Sequence, residues 1–152
     1  MAINSKRLLK LADFLDELPP SHFDFTKVRV TGQKTEHNEC GTVGCAVGWC
    51  PTVFPRACRI TKMFKSAWEP NVSRVGRMNV DGKSMLVDIG SHGEIADRLF
   101  SLPIGHGFAL FTHEEMSPAS GSELPASATP KQVAARIRTY VKWSKKIHAV
   151  AK

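Results

Sequence analysis

Nine consecutive residues, Gly41-Thr42-Val43-Gly44-Cys45-Ala46-Val47-Gly48-Trp49, carry only small or apolar side chains, and Pro51 follows two positions later. A run of this composition offers water no polar face, so whatever the chain builds has to enclose it. Read as a helix, it places Gly44 and Gly48 one turn apart on the same face. Two missing side chains there let another backbone come close, at about 1 kcal/mol of helix propensity per glycine. The expectation is a central, buried helix on which the rest of the chain packs.

The flanks divide around it. Asn4 or Ser5 caps a leading helix with an apolar stripe of Leu8, Leu11, Ala12, Leu15 and Leu18, ended by Pro19-Pro20. Phe23, Phe25, Val28 and Val30 alternate with polar residues as in a short strand. Pro55 suits the first position of another helix. That helix would carry Ala57, Ile60, Phe64 and Ala67 or Trp68 on one side, and Arg56, Arg59, Lys62 and Lys65 at i, i+3 spacing on the other. Asp81-Gly82, between Arg77–Val80 and Lys83–Val87, predicts a hairpin with a two-residue type I′ turn. Ser91 with Glu94, and Thr129 with Gln132, read as capping boxes for two further helices, the second carrying Pro130 in its first turn. Residues 112–128 read as a surface loop and residues 130–150 as a basic terminal helix. The sum is one α+β domain spanning residues 1–152, mainly α, with about five helices and a small antiparallel β-hairpin. A chain of 152 residues is the size of one such unit. No window approaches the roughly 18 apolar residues of a membrane span, and the opening residues do not lead into a signal peptide, so no membrane association is expected.

Charge is distributed unevenly. Lys and Arg number 21 against 14 Asp and Glu, a net +7. Residues 1–55 are neutral, 56–93 carry +4, 94–130 carry −4, and the last 22 residues hold seven cations and no acid. A terminal block of one sign suits an acidic partner, while a solvated helix face that keeps the protein soluble is the plainer use.

The stretch from Cys40 to Trp49 resembles a C-G-T-x-x-C-x-x-G-W motif of short phage and prophage proteins. Leu18-Pro19-Pro20, His22-Phe23-Asp24-Phe25, Leu110-Phe111 and the segment from Thr129 to Ile137 agree with it, whereas Cys50 stands where that group has alanine. The hairpin region lies outside the resemblance. It implies a viral or mobile-element origin and cytosolic expression, and brings no activity with it.

Four cysteines, Cys40, Cys45, Cys50 and Cys58, fall within nineteen residues, with His37 just ahead. Their spacing differs from the paired turns of zinc knuckles and from iron–sulfur runs. On a helix, Cys45 and Cys50 would diverge by about 140°. Small buried hydrophobes are the first expectation, with no cofactor, and zinc is the alternative. If Cys40 opens a helix its thiol is activated, and Cys40, Cys45 and His37 become the candidate catalytic set of a cysteine- or metal-dependent enzyme. The same helix start, Gly41-Thr42, could hold a small nucleotide-like anion on its free N–H groups, although no P-loop lysine accompanies it. His92, His106 and His113 lie among Glu94, Asp97, Glu114 and Glu115, without the spacing that puts two metal ligands on one helix face.

The leading expectation is a small, non-enzymatic accessory protein of phage type that binds an acidic protein or nucleic acid. The partner would be a host protein, a nucleic acid or a virion component, met in the host cytoplasm or carried with the particle. Arg138, Lys142, Lys145 and Lys146 are the first candidate contacts and Arg56, Arg59, Lys62 and Lys65 the second, with Trp68, Tyr140 and Trp143 near enough in sequence for stacking. Such binding should be directed at a charged backbone and fall steeply with salt.

Overall fold

A computed structural model describes residues 2–32, 38, 42–88, 91–112, 119 and 123–151. Helix α1 (Ser5–Glu17) starts where the Asn4 side chain accepts the Arg7 N–H at 3.1 Å, and it buries Leu8, Leu11, Ala12 and Leu15. Pro19 and Pro20 cannot continue the ladder, and a 3-10 turn, Pro20–His22, follows. Strand β1 (Arg29–Thr31) pairs antiparallel with β2 (Val43–Gly44), Arg29 opposite Gly44 and Val30 opposite Val43. Helix α2 (Ala46–Val53) comes directly after, with Cys45 as its N-cap. The small-residue run is therefore split between a strand and a helix, in place of the single helix expected from its composition. The reason is local. Val43 and Gly44 pair with β1, and the Cys45 N–H donates to the Lys27 carbonyl at 2.6 Å, so their backbone groups are satisfied before any helical turn begins. Pro51 sits inside α2, which ends two residues later.

The largest departure from expectation is at residues 55–68. No helix forms there. Strand β3 (Cys58–Lys65) pairs with β4 (Ser73–Val80), which also carries β5 (Lys83–Leu86) and meets β1 at Arg74 and Ser73. The five strands form one antiparallel sheet in the order β2-β1-β4-β3, with β5 added beside β4. The expected hairpin is present as β4–β5. Asp81 and Gly82 adopt φ 46° and 84°, as a type I′ turn requires, and Val80 faces Lys83 across it. The chain is thus α+β, and the β part is a sheet of five strands where one hairpin was expected. Two register shifts interrupt β3–β4, between Ile60 and Lys62 and between Lys62 and Met63.

Helix α3 (Ser91–Phe100) buries Ile95, Ala96, Leu99 and Phe100. Its expected capping box is replaced by a local turn: the Ser91 hydroxyl accepts the Asp88 N–H at 2.9 Å and donates to the Asp88 carbonyl at 3.0 Å. A short α4 (His106–Phe111) lies so close to α3 that a side chain on Gly107 would sit 2.3 Å from the Gly93 carbonyl. Helix α5 (Pro130–Val150) has the expected capping box complete, the Thr129 and Gln132 side chains each bonding the other's backbone N–H. Its inner face is Val133, Ala134, Ile137, Tyr140, Val141 and Ser144, while Ile147, one turn further on, is exposed. The helices and the inner sheet face, with Cys58, Val75, Met78 and Val80, enclose one hydrophobic core. Among the described residues no helix is long and apolar enough to cross a membrane.

Candidate functional site

The outer face of the sheet is built from cross-strand rows. Arg59, Asn79 and Ser84 stand opposite one another on β3, β4 and β5. Lys62, Arg77 and Leu86 form the next row, and Arg77 donates to the Ser84 hydroxyl at 3.0 Å. Beyond the register shifts, Phe64 faces Arg74, which in turn faces Val30 of β1. The bulges cause this arrangement. An inserted residue reverses the alternation of a strand, so Lys62 follows Arg59 at three residues and Arg74 precedes Arg77 at three, and all four are exposed. Val75, between them, is turned to the core at 3% exposure.

The three strands hold Arg59, Lys62, Lys65, Arg74, Arg77 and Lys83 and no acidic residue. The nearest acids, Glu69, Asp81 and Asp88, lie in the connections. Asp81 is occupied by Arg7, whose two guanidinium nitrogens reach it at 2.8 and 3.1 Å. Phe64 is the aromatic of this face, 38% exposed, with the Lys62 ammonium 5.0 Å from its centroid. Its ring lies on the bare backbone of Gly76, where a Cβ would come within 2.1 Å of Cε2. Beyond Phe64, the β3–β4 connection presents Trp68 at 91% exposure. The Ser66 hydroxyl holds that connection by accepting the N–H groups of Trp68 and Glu69. A cleft of about 410 Å³ there is lined by Lys27, Lys65, Trp68, Glu69 and Arg74 among others.

The remaining candidates fall elsewhere. Lys142, Lys145 and Lys146 are exposed on α5. Arg138 is taken by α1, at 2.8 Å from Asp13 and 2.6 Å from Asp16, and these carboxylates hold its pKa above the usual value. Arg136, one of the seven cations of the terminal block, is buried with its guanidinium 3.1 Å from the Thr112 carbonyl at the end of α4, and burial lowers its pKa. Arg56 is exposed just ahead of β3.

Cys45, Cys50 and Cys58 are free thiols inside the core. Burial pushes Cys45 and Cys58 up to about 11 and Cys50 well above its ordinary value, the reverse of an activated nucleophile. Their contacts are the Val28 carbonyl, the Ala46 carbonyl and the Met78 sulfur respectively. Cys40, His37 and Gly41 lie outside the described residues, as do His113, Glu114 and Glu115. Thr42 precedes a strand, and α2 begins four residues later, so the described chain has no helix start at Gly41-Thr42 for an anion. Among the described residues no three His, Cys, Asp or Glu side chains gather to hold a metal ion.

His106, Asp97 and Tyr140 do come together, as a joint between helices. The Asp97 carboxylate accepts the N–H groups of Gly105 at 2.8 Å and Gly107 at 2.6 Å, which fixes the start of α4. Burial raises the Asp97 pKa against the pull of those two bonds. His106 Nδ1 meets the Tyr140 hydroxyl at 2.9 Å, and burial pushes that phenol up to about 12. Both polar ends of Asp97 are thus held by backbone. No family model, curated protein or solved structure matches this chain.

Proposed function

We propose that this protein works by binding an acidic macromolecule on the outer face of β3, β4 and β5, with Lys142, Lys145 and Lys146 of α5 as a second point of contact. One observation carries the reading: four exposed cations, Arg59, Lys62, Arg74 and Arg77, share the outer face, and the three adjacent strands hold no acid. Lys62 stands directly opposite Arg77, and like charges so placed destabilise a sheet. A bound polyanion offsets that repulsion and releases its own counterions. An accessory role in a phage accords with the resemblance of the Cys40–Trp49 stretch; under it the partner is a host protein, a nucleic acid or a component of the particle.

Retention on a heparin column tests the reading. Reversal of both charges, Lys62→Glu with Arg77→Glu, should bring elution to much lower salt, and Lys142→Glu with Lys145→Glu should shift it less. Unchanged elution of the sheet variant, with its far-UV spectrum intact, would remove the sheet face from the proposal.

A further inference from the structure

We infer that the acidic partner is a single-stranded nucleic acid, laid across the outer sheet face with one base stacked on Phe64 and another on Trp68. The inference rests on the acidic-partner reading above and adds the class of partner. Charge alone does not distinguish a nucleic acid from an acidic protein; the aromatic residues do. Phe64 lies within the cationic rows, where an exposed phenyl ring contributes nothing to solubility and its one covered side rests on Gly76. Over the ring stands the flexible Lys62 ammonium, 5.0 Å from the centroid, which a base would displace toward a neighbouring phosphate. Trp68, the most exposed aromatic beside this face, lines a cleft with three cations, Lys27, Lys65 and Arg74, and one acid, Glu69, so a second ring stands in a net-basic setting. Rings set among backbone-binding cations form a stacking platform, and stacking needs bases that are not already paired. A duplex keeps its bases enclosed and would use the cations only.

The competing occupant, an acidic peptide added as a strand along the open edge of β3, fits less well. The residue inserted between Ile60 and Lys62 breaks that edge in its middle, and an interrupted edge does not extend a ladder. The face of the sheet is continuous where its edge is not.

The test is fluorescence anisotropy with a labelled thymidylate dodecamer, a duplex of equal length and a labelled polyglutamate peptide, each titrated with the full chain at several salt concentrations. The dodecamer should bind most tightly. Phe64→Leu, which keeps bulk and loses the π face, and Trp68→Ala should each weaken it about 5- to 100-fold with the salt slope unchanged. Lys62→Glu with Arg77→Glu should weaken all three probes and flatten the slope. Quenching of tryptophan fluorescence by the dodecamer should disappear in Trp68→Phe. If the dodecamer binds Phe64→Leu and Trp68→Ala as tightly as the parent protein, stacking is overturned. Preference for polyglutamate or duplex overturns the single-stranded assignment and leaves the acidic-partner reading standing. Failure of every probe overturns both.

Discussion

Gly48 lies against the backbone of Val28, so closely that a Cβ would sit 1.3 Å from the Val28 carbonyl oxygen. Gly48→Ala should therefore cost about 3 kcal/mol or more, because the obstacle is backbone and cannot rotate away, and urea unfolding would show it as a large drop in midpoint. Gly44 meets the same carbonyl at 2.6 Å. That two glycines here admit a neighbouring backbone was legible from their spacing alone; that one stands on a strand and the other on a helix was not, since small apolar residues carry no period to tell the two apart. Trp49 completes the corner, its Nε1–H donating to the His22 carbonyl at 3.0 Å and its ring lying under the Arg29 guanidinium. The thiols beside it give a second prediction. Below pH about 9 folded and unfolded chains both carry neutral thiols; above it the unfolded chain ionises first, because buried Cys45 keeps its proton to about 11. Stability should be full below pH 9 and fall between 9 and 11, and Cys45→Ala should flatten that fall in denaturation curves recorded across the range. A fall equally steep in Cys45→Ala would mean that other groups cause it.

At the scale of elements, β3 shows how a true pattern leads to the wrong structure. Arg59, Lys62 and Lys65 recur every three residues, which on an unbroken element is a helix stripe. In the sheet an inserted residue puts Arg59 and Lys62 on one face, while Lys65, opposite Ser73, falls on the other, and nothing in the local sequence marks the insertion. The cations were found and their platform was not. Explicit cap and turn chemistry is legible at two places, Asp81-Gly82, which closes β4–β5, and Thr129 with Gln132, which opens α5, but not at Ser91, whose hydroxyl bonds the Asp88 backbone instead of capping α3 with Glu94. Arg136 and Arg138 escaped for a different reason. Their uses are supplied by α4 and α1, more than twenty and a hundred residues away. Arg138 ties α5 to α1 across a partly solvated surface, so Arg138→Ala should cost only about 0.5–1 kcal/mol at low salt and less at high salt. It should also leave heparin retention nearly as it was, whereas Lys142→Ala should reduce it. Equal loss of retention from the two would mean that Arg138 leaves its carboxylates to join the partner.

Across the whole molecule, charge and architecture coincide. The segment from residue 56 to 93 supplies the cations of β3, β4 and β5, the acidic segment after it supplies Glu94 and Asp97 of α3, and α1 turns Asp13 and Asp16 toward α5. Among the described residues, Arg59, Lys62, Arg74 and Arg77 of the sheet's outer face remain exposed, as do Lys142, Lys145 and Lys146 of α5. Net charge pointed to an acidic partner, yet the terminal block that supplied most of it proves to be partly internal wiring, with Arg136 buried and Arg138 paired. The interrupted, cationic edge of β3 also governs how the protein behaves as a colloid. Two copies meeting edge to edge face like charge and a broken ladder, so neither templates the other. A polyanion cancels the first of those barriers and leaves the second. The solution should therefore stay clear without partner or with a large excess of it, and turn cloudy between, where the charges of the two match.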